Sequence, residues 1–449
     1  MKVAVIGAGI VGVTTAYELS ADGHEVSVFE HRGSVAAQCS FANAGVIAPG
    51  YVTPWAGPGM PAKVFGHLLS RHAPVRVHLG VGPAELAWLW KWWRACRLRT
   101  YQANRLRMQR LATFSRDRLH ELTQTLQLDY EHARGYLVLL RSAKDLALVQ
   151  PGLASLAALN TRFATLDARQ CRLIEPGLSP DTDLHAGIHL PDDEVGNCRQ
   201  FALLLRNEAQ QLGAQFRFHT EVERIMPGRQ PQLHYKYAPP NDSTLLNASA
   251  EEADAGGAAD TQPMAPEPVT ERFDAVVVCA ALGAPRLLRP HGLKLPLQPV
   301  YGYSVTAPLR HHDGHPDPGP RSALMDERYK VAISRLGARV RVAGSAEIGG
   351  APMPHHRGAL ATLYKVLHDW FPGAAHMSQA QRWKGARPML PDGPPVLGPS
   401  GIDGVWLNLG HGSSGWALAC GSARLLADSL AGRTPTVDTE GLGIERLKA

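Results

Sequence analysis

Near its start the sequence contains Lys2–Glu30, KVAVIGAGIVGVTTAYELSADGHEVSVFE, and the predicted architecture follows from this segment. An apolar run at Lys2–Ile6 predicts a strand, Val13–Ala21 predicts a helix, and Glu25–Glu30 predicts a second strand. A strand, a helix and a strand within about thirty residues form a βαβ unit, whose two strands pair in parallel. Because the first strand begins at the second residue, we expect no signal peptide.

The turn between the first strand and the helix carries Gly7-x-Gly9-x-x-Gly12. In such a turn the first glycine permits the bend, the second lets a pyrophosphate approach the backbone, and the third lets the helix pack on the strand. Free N–H groups at the helix start then bind the phosphates, and Glu30 is placed to bind the adenosine ribose. The alternative is a purely structural glycine turn, but the strand, helix and acid in register favour a dinucleotide site. We assign to that site Gly7, Gly9, Ile10, Val11, Gly12, Glu30 and His31.

Composition narrows the class of protein. The chain has 449 residues, of which 45% are hydrophobic and 19% charged, so it can bury a large core and is not disordered throughout. That length predicts two or three domains or one large two-lobed enzyme. We expect no membrane-spanning helix, because no run of about 18 apolar residues is free of charge. The six cysteines form no C-x-x-C pair, so we expect no metal site and a reducing, cytoplasmic location.

Later segments predict an α/β plus α+β fold: a Rossmann-like dinucleotide-binding domain and an interleaved substrate domain, built on an antiparallel sheet with helices. Strands of that sheet are predicted at Tyr301–Thr306, Tyr329–Arg335 and Val340–Ala343. Residues 239–268 contain six acids but no aromatic residue, Lys or Arg, and predict a disordered loop. We expect the dinucleotide-binding domain to comprise 1–50, 190–295 and 380–449, and the substrate domain to comprise 51–189 and 296–379.

Three further stretches favour FAD over NAD. Small residues follow the first unit at Cys39–Gly45 and end a strand at Val278–Gly283. Gly410–Trp416, GHGSSGW, lies at a strand-to-helix turn, where a helix N-terminus would stabilise the N1–C2=O edge of a reduced flavin. An NAD enzyme does not need its dinucleotide domain completed by the last fifty residues. The candidate cofactor residues in these stretches are Ser40, Asn43, Ala44, Gly410, Gly412, Ser413 and Ser414.

Five segments together resemble the D-amino-acid dehydrogenase family, within the D-amino-acid oxidase-like flavoproteins. They are GAGIVGVTTAYELSADGHEVSVFE, SFANAGVIAPGYVTPWAGPGMP, ERYKVAISR, WKGARPMLPDGPPVLG and GHGSSGWALACG. The resemblance implies FAD bound non-covalently, and no cysteine occupies Gly385–Gly393, where relatives with covalent flavin carry one. It also implies oxidative deamination of D-amino acids such as D-alanine, with electrons passed to a respiratory-chain quinone or another acceptor. We add Val222 to the predicted FAD site.

Arg387 matches the arginine that binds the substrate carboxylate in this group of flavoproteins. The planar guanidinium suits that role because it binds a carboxylate through two hydrogen bonds and stays charged. Tyr303, Tyr329 and His411 are further catalytic or substrate-binding candidates, although strand tyrosines and a turn histidine are often structural. No side chain stands out as a general base, and hydride transfer from Cα to flavin N5 depends mainly on orientation.

A basic, tryptophan-rich segment remains unexplained by that chemistry. Twelve Lys and Arg but only two acids lie between Lys63 and Arg118, and Trp88–Arg99 combines four tryptophans with basic residues. Such a helix either lies at a membrane interface or packs its tryptophans into the core. We expect peripheral contact with the inner face of the cytoplasmic membrane, and no nucleic-acid partner.

Two other functions stay open from the sequence. One is an oxidase of glycine, sarcosine or D-amino acids that uses oxygen. The other is a flavin-binding subunit that is structural or depends on a partner for turnover.

Overall fold

The computed structural model describes residues 1–67, 72–78, 82–158, 161–237, 268–311, 317–350 and 354–447. The predicted disordered loop therefore lies outside the described residues, apart from Pro268. The strands are β1 Lys2–Ile6, β2 Glu25–Phe29, β3 Val46–Ile47, β4 Val75–Val77, β5 Ala133–Leu140, β6 Ala164–Asp167, β7 Ala186–Val195, β8 Gln215–Arg217, β9 Thr220–Met226, β10 Gln232–Tyr237, β11 Val269–Arg272, β12 Ala275–Val278, β13 Gln298–Pro308, β14 Ala323–Asp326, β15 Val331–Leu336, β16 Arg339–Ile348, β17 Gln381–Met389, β18 Val396–Pro399 and β19 Val405–Leu409. The helices are α1 Ile10–Ala21, α2 Met60–His67, α3 Pro83–Ala95, α4 Leu98–Thr125, α5 Ala143–Ala158, α6 Ala168–Ile174, α7 Cys198–Gln211, α8 Ala284–Leu288, α9 Arg357–Trp370 and α10 Gly415–Leu430.

The N-terminal unit forms the centre of a mostly parallel sheet with the strand order β18-β19-β12-β1-β2-β8. β1 pairs in parallel with both β2 and β12, and only the edge strand β18 runs antiparallel. α1, α4, α7 and α10 pack on one face of this sheet. The small antiparallel sheet β9–β11 and α8 pack on the other. The predicted Rossmann-like architecture is confirmed.

The second sheet is larger and has the order β17-β13-β16-β15-β14-β5-β7-β3, with β4 beside β16 and β6 beside β7. Its strands pair antiparallel, except for β14 with β5 and β16 with β4. α9 covers one face, where Leu363, Val366 and Trp370 bury the apolar side chains of β13 and β16. The predicted antiparallel sheet with helices is confirmed. β3 and β17 belong to this larger sheet, so the chain passes between the two sheets several times, and the exact domain bounds stay a prediction.

Some element boundaries differ from the prediction for local reasons. The predicted strand Tyr329–Arg335 begins only at Val331, because Lys330 has a positive φ of 52° and ends a turn. The predicted helix Ala84–Arg99 stops at Ala95, and Arg97 is extended before α4 begins. β17 escapes detection because it contains Gly385 and Pro388, both unfavourable in strands. Its place at the edge of the sheet tolerates the proline.

A buried cluster of charges ties α1 to its neighbours. Glu18 of α1 is fully buried and lies 2.7 Å from both Arg118 of α4 and Arg424 of α10. Burying a charge costs free energy, and pairing it with opposite charges in this way offsets that cost. The pairing neutralises the charge of Arg118, which belongs to the basic segment. Arg105 of the same helix is also buried. Arg105 and Arg118 therefore do not contribute to an exposed basic surface.

In the ranges that the structure describes, no helix has both the length and the apolar character needed to cross a membrane.

Candidate active site

The three glycines of the first turn are needed for different structural reasons. Gly7 has a φ of 102°, and a Cβ there would lie 2.8 Å from the Cys279 carbonyl oxygen. A Cβ on Gly12 would overlap the carbonyl oxygen of Gly7. On Gly9, by contrast, a Cβ would meet only Ser40 Oγ, at 3.6 Å. Packing thus requires Gly7 and Gly12, whereas at Gly9 packing leaves room for a side chain, so its absence leaves open space beside the turn.

Glu30 directly follows β2, and its carboxylate is buried and hydrogen-bonded. Its oxygens accept hydrogen bonds from the backbone N–H groups of Ala8, at 2.7 Å, and Arg32, at 2.8 Å. His31 Nδ1 lies 2.9 Å from the same carboxylate. Burial alone would raise the pKa of Glu30, but the His31 imidazole and the two N–H groups outweigh burial and lower it. The carboxylate stays ionised, and its remaining lone pairs are available to ribose hydroxyls.

The loop after the first unit bridges the start of α1 and the larger sheet. Ser40 Oγ accepts a hydrogen bond of 3.1 Å from the N–H of Ile10, the first residue of α1. On the other side, Ser334 of β15 donates to the carbonyl oxygen of Ala44 at 2.6 Å. Ser40, Asn43 and Ala44 are thus brought together with the glycine turn. Val222 lies on β9, close to the end of β2, where the N–H of Thr220 donates to the Glu30 carbonyl oxygen.

The C-terminal glycine turn lies beside β17. Gly410 and Gly412 have φ values of 78° and 57°, and a Cβ on Gly412 would lie 2.6 Å from Met389 Sδ. The intervening His411 forms a β-bridge with Met389. Its imidazole is 4% exposed, and Nε2 lies 3.0 Å from Ser422 Oγ of α10. Burial lowers the pKa of His411 to about 3, so the ring is neutral and braces the turn against α10. Ser413 and Ser414 follow in the single turn that precedes α10.

Arg387 projects from β17 across the neighbouring strand β13. It is opposite Val300 of β13, and its side chain crosses Gly302, where a Cβ would overlap Nη2. Nη1 donates to the carbonyl oxygen of Ser345 at 2.9 Å, but the side chain makes no ion pair with any described Asp or Glu. Burial lowers the pKa of Arg387, and only the Cys39 thiol opposes that effect. A desolvated guanidinium of this kind favours an anionic ligand.

The two candidate tyrosines are not brought to Arg387. Side chains alternate across a strand, so Tyr303 points to the opposite sheet face from Gly302. There it is buried, packs against α9, donates to the Glu347 carboxylate and accepts from the His356 N–H at 3.2 Å. Tyr329 packs on the same cluster, with its ring centre 5.2 Å from the Arg141 guanidinium carbon.

The residues that shape the space around Arg387 were not predicted from the sequence. Gly302 makes room for the guanidinium, Ser345 orients it through its carbonyl group, and Cys39 lies close enough to affect its pKa. A glycine between two tyrosines inside a strand was a detectable signal, because such a glycine often marks a close approach. The sequence carried no signal for the carbonyl group of Ser345, because a serine is not expected to adopt the positive φ of 59° that Ser345 has.

Comparisons with known proteins identify the relatives of this chain. Residues 2–429 match the family model for FAD dependent oxidoreductases. The chain is 40% identical to a D-amino acid dehydrogenase of Rhizorhabdus wittichii over 99% of this chain and 100% of the relative. It is 41% identical to a D-amino acid dehydrogenase of Cereibacter sphaeroides over 100% and 96% of the two chains. The fold is similar to that of glycine oxidase from Geobacillus kaustophilus, with a TM-score of 0.72 at 18% identity over 99% and 98% of the chains.

Proposed function

Because the chain belongs to the FAD-dependent oxidoreductases, and within them to the D-amino acid dehydrogenase family, we propose that it oxidises D-amino acids such as D-alanine to 2-oxo acids and ammonia. The observation that carries the proposal is Arg387, a desolvated guanidinium with no acidic partner among the described residues. It lies next to the loop and the glycine turn that fit FAD. An amino acid brings the carboxylate that this guanidinium lacks.

The residues of this chain act mainly by binding and orientation. When bound, FAD supplies the hydride acceptor, N5 of the flavin. Arg387 binds the substrate carboxylate through two parallel hydrogen bonds of its guanidinium group. Ser345 and Gly302 fix the direction of that group. Held at one end, a substrate with a neutral amine presents its Cα–H without a general base. The imino acid that results is released and hydrolyses in water.

The FAD site that we propose is the set assembled around the glycine turn. Gly9 leaves space for the pyrophosphate, Glu30 is ionised for the ribose, and His411 contributes through its backbone position and not through its imidazole. The full set is Gly7, Gly9, Ile10, Val11, Gly12, Glu30, His31, Ser40, Asn43, Ala44, Val222, Gly410, Gly412, Ser413 and Ser414. We expect the flavin to be bound without a covalent link.

Turnover with a soluble dye tests the proposal. The FAD-loaded protein should reduce the dye with D-alanine and not with L-alanine, and should yield pyruvate and ammonia in equal amounts. Peroxide formed at the same rate without dye would support the oxygen-using alternative. Absence of dye reduction with any of a panel of D-amino acids would contradict the proposed function.

We propose that the electrons pass to a lipid-soluble acceptor through a protein surface on α3. Leu86, Trp90 and Trp93 recur at helical spacing, and each exposes more than half of its side chain. Beside them lie the exposed Lys91 and Arg94, the latter 4.8 Å from the Trp90 ring centre. Aromatic and basic side chains on one helix face favour an anionic bilayer.

The other face of α3 connects this surface to the site. Trp88 and Trp92 are buried against Val300 and Met389, and Trp88 Nε1 donates to the Met389 carbonyl oxygen at 3.1 Å. Met389 is two residues from Arg387 on the same strand. The helix that would contact lipid therefore lies directly on the strand that would bind substrate.

Sedimentation with anionic liposomes tests the surface. Replacing Trp90 and Trp93 by serine, or Lys91 and Arg94 by glutamine, should weaken binding while dye-linked activity is retained. The matched control replaces two exposed basic residues on other helices, Lys144 and Arg169, by glutamine. Liposome binding that survives both α3 variants would contradict membrane contact at this helix.

A further inference from the structure

We propose that Arg341 of β16 is a positioning residue for the flavin. With Ser304 and Ser334, it holds the turn at residues 42–44 so that the N–H groups of Asn43 and Ala44 face the cofactor. Arg341 also places a positive charge directly behind that turn. This inference rests on the FAD site of the proposed function and is independent of the substrate.

Three consecutive carbonyl groups of the turn are bound by three strands of the larger sheet. Ser304 Oγ of β13 donates to the Ala42 oxygen at 2.8 Å, and Ser334 Oγ of β15 donates to the Ala44 oxygen at 2.6 Å. Between them, Arg341 Nη1 of β16 donates to the Asn43 oxygen at 3.0 Å. All three donors are at least nine-tenths buried, so water does not compete for the donor groups. The orientation of each peptide plane in the turn is thereby fixed.

Fixed carbonyl groups determine where the next N–H groups point. In a planar trans peptide, the C=O of one residue and the N–H of the next point in opposite directions. With the oxygens of Ala42 and Asn43 turned to the sheet, the N–H groups of Asn43 and Ala44 point away from it. Neither N–H donates to any acceptor within the described residues, whereas the N–H of Gly45 binds Asn43 Oδ1 at 3.0 Å. Two adjacent unsatisfied donors beside the glycine turn are suited to acceptor atoms of a flavin.

The positive charge of Arg341 is also not neutralised by any acid among the described residues. The side chain is 6% exposed, and its Nε donates to Thr306 Oγ1 at 2.9 Å. Among the described residues it forms no ion pair, although Arg339, two positions earlier on β16, pairs with Glu131 at 2.7 Å. Burial lowers the pKa of Arg341 to about 10, so the guanidinium is still charged at neutral pH. A nearby cation in a desolvated region favours the reduced flavin, which carries more negative charge.

The test measures cofactor affinity and redox equilibrium without any amino acid. The variants are Arg341→Met, Arg341→Lys and the double variant S304A/S334A. FAD affinity is measured by fluorescence, and the two-electron potential is measured against a reference dye. We expect Arg341→Met to weaken FAD affinity at least tenfold. It should also shift the reduction equilibrium at least tenfold toward oxidised flavin, about 30 mV. Arg341→Lys should restore most of the potential, because it retains the charge.

The remaining variants separate charge from geometry. S304A/S334A should weaken FAD affinity while leaving the potential within a few millivolts of wild type, because Arg341 is retained. Arg339→Met removes from the same strand a charge whose hydrogen bonds go to Glu131 and not to the turn, and it should change FAD affinity and potential by less than twofold and a few millivolts. Wild-type affinity and potential in folded Arg341→Met would overturn the proposal. If that variant does not fold, wild-type values in both Arg341→Lys and S304A/S334A would overturn it instead. Because none of these measurements uses substrate, failure of the D-amino acid assay would leave their outcome unaffected.

Discussion

Replacement of Arg387 is the perturbation that most directly probes the substrate site. The guanidinium is desolvated and has no acidic partner within the described residues, so removing it leaves the substrate carboxylate unpaired. Leaving one partner of a buried ion pair alone costs about 3–5 kcal/mol. At 1.36 kcal/mol for each factor of ten, Arg387→Met should lower kcat/KM for D-alanine by roughly two to four orders of magnitude. Arg387→Lys keeps the charge but loses the two parallel hydrogen bonds of the guanidinium. Its kcat/KM for D-alanine should fall by about ten- to a hundredfold.

The assay is dye-linked oxidation of D-alanine, with FAD content measured from the absorbance of each preparation. Arg382→Met is the matched control, because Arg382 lies on the same strand, is exposed and bonds only to the Tyr364 hydroxyl among the described residues. Its kcat/KM should stay within about twofold of wild type. FAD content should be unchanged in all variants. A kcat/KM for Arg387→Met within tenfold of wild type, at full FAD content, would refute the assignment of Arg387 as the carboxylate clamp.

Three other changes should have distinct outcomes. Gly302→Ala should raise KM for D-alanine at least tenfold while FAD content is retained, because the added methyl group displaces the Arg387 guanidinium; steady-state kinetics would show this. Gly12→Ala should abolish FAD binding, measured by absorbance after desalting, because its Cβ overlaps the Gly7 carbonyl oxygen. Asp193 is 2% exposed, and burial raises its pKa to about 7 from an ordinary value of 3.8. Its folded carboxyl therefore holds a proton that the unfolded chain releases, and stability falls as pH rises between these values. Asp193→Asn should raise Tm more at pH 8 than at pH 5, and an equal gain at both values would contradict this sign.

The sequence predicted the parts of the fold that depend on local signals. The βαβ unit at Lys2–Glu30 is decided by an apolar run, a glycine spacing and a terminal acid, and all lie within one short segment. The match of Arg387 to a family motif is likewise local. Strand β17 was missed because Gly385 and Pro388 disfavour strands, and only its pairing with β13 makes it one.

The arrangement of side chains across the larger sheet was not predictable in the same way. Arg387 and Tyr303 are on adjacent strands, but which sheet face each occupies depends on register, and one residue decides it. The burial of His411 depends on Ser422, eleven residues later on α10. The support of the 42–44 turn depends on Ser304, Ser334 and Arg341, which lie some 260–300 residues away in the chain. Such contacts follow only from the assembled fold.

The absorbance of the bound flavin under anaerobic conditions shows directly whether this protein oxidises D-amino acids. Adding D-alanine to the FAD-loaded protein should bleach the visible flavin band within the time of a few turnovers, and L-alanine should leave it unchanged. That one measurement tests the cofactor, the substrate class and its handedness together. A flavin band that dithionite bleaches, but that no D-amino acid changes, would contradict the account.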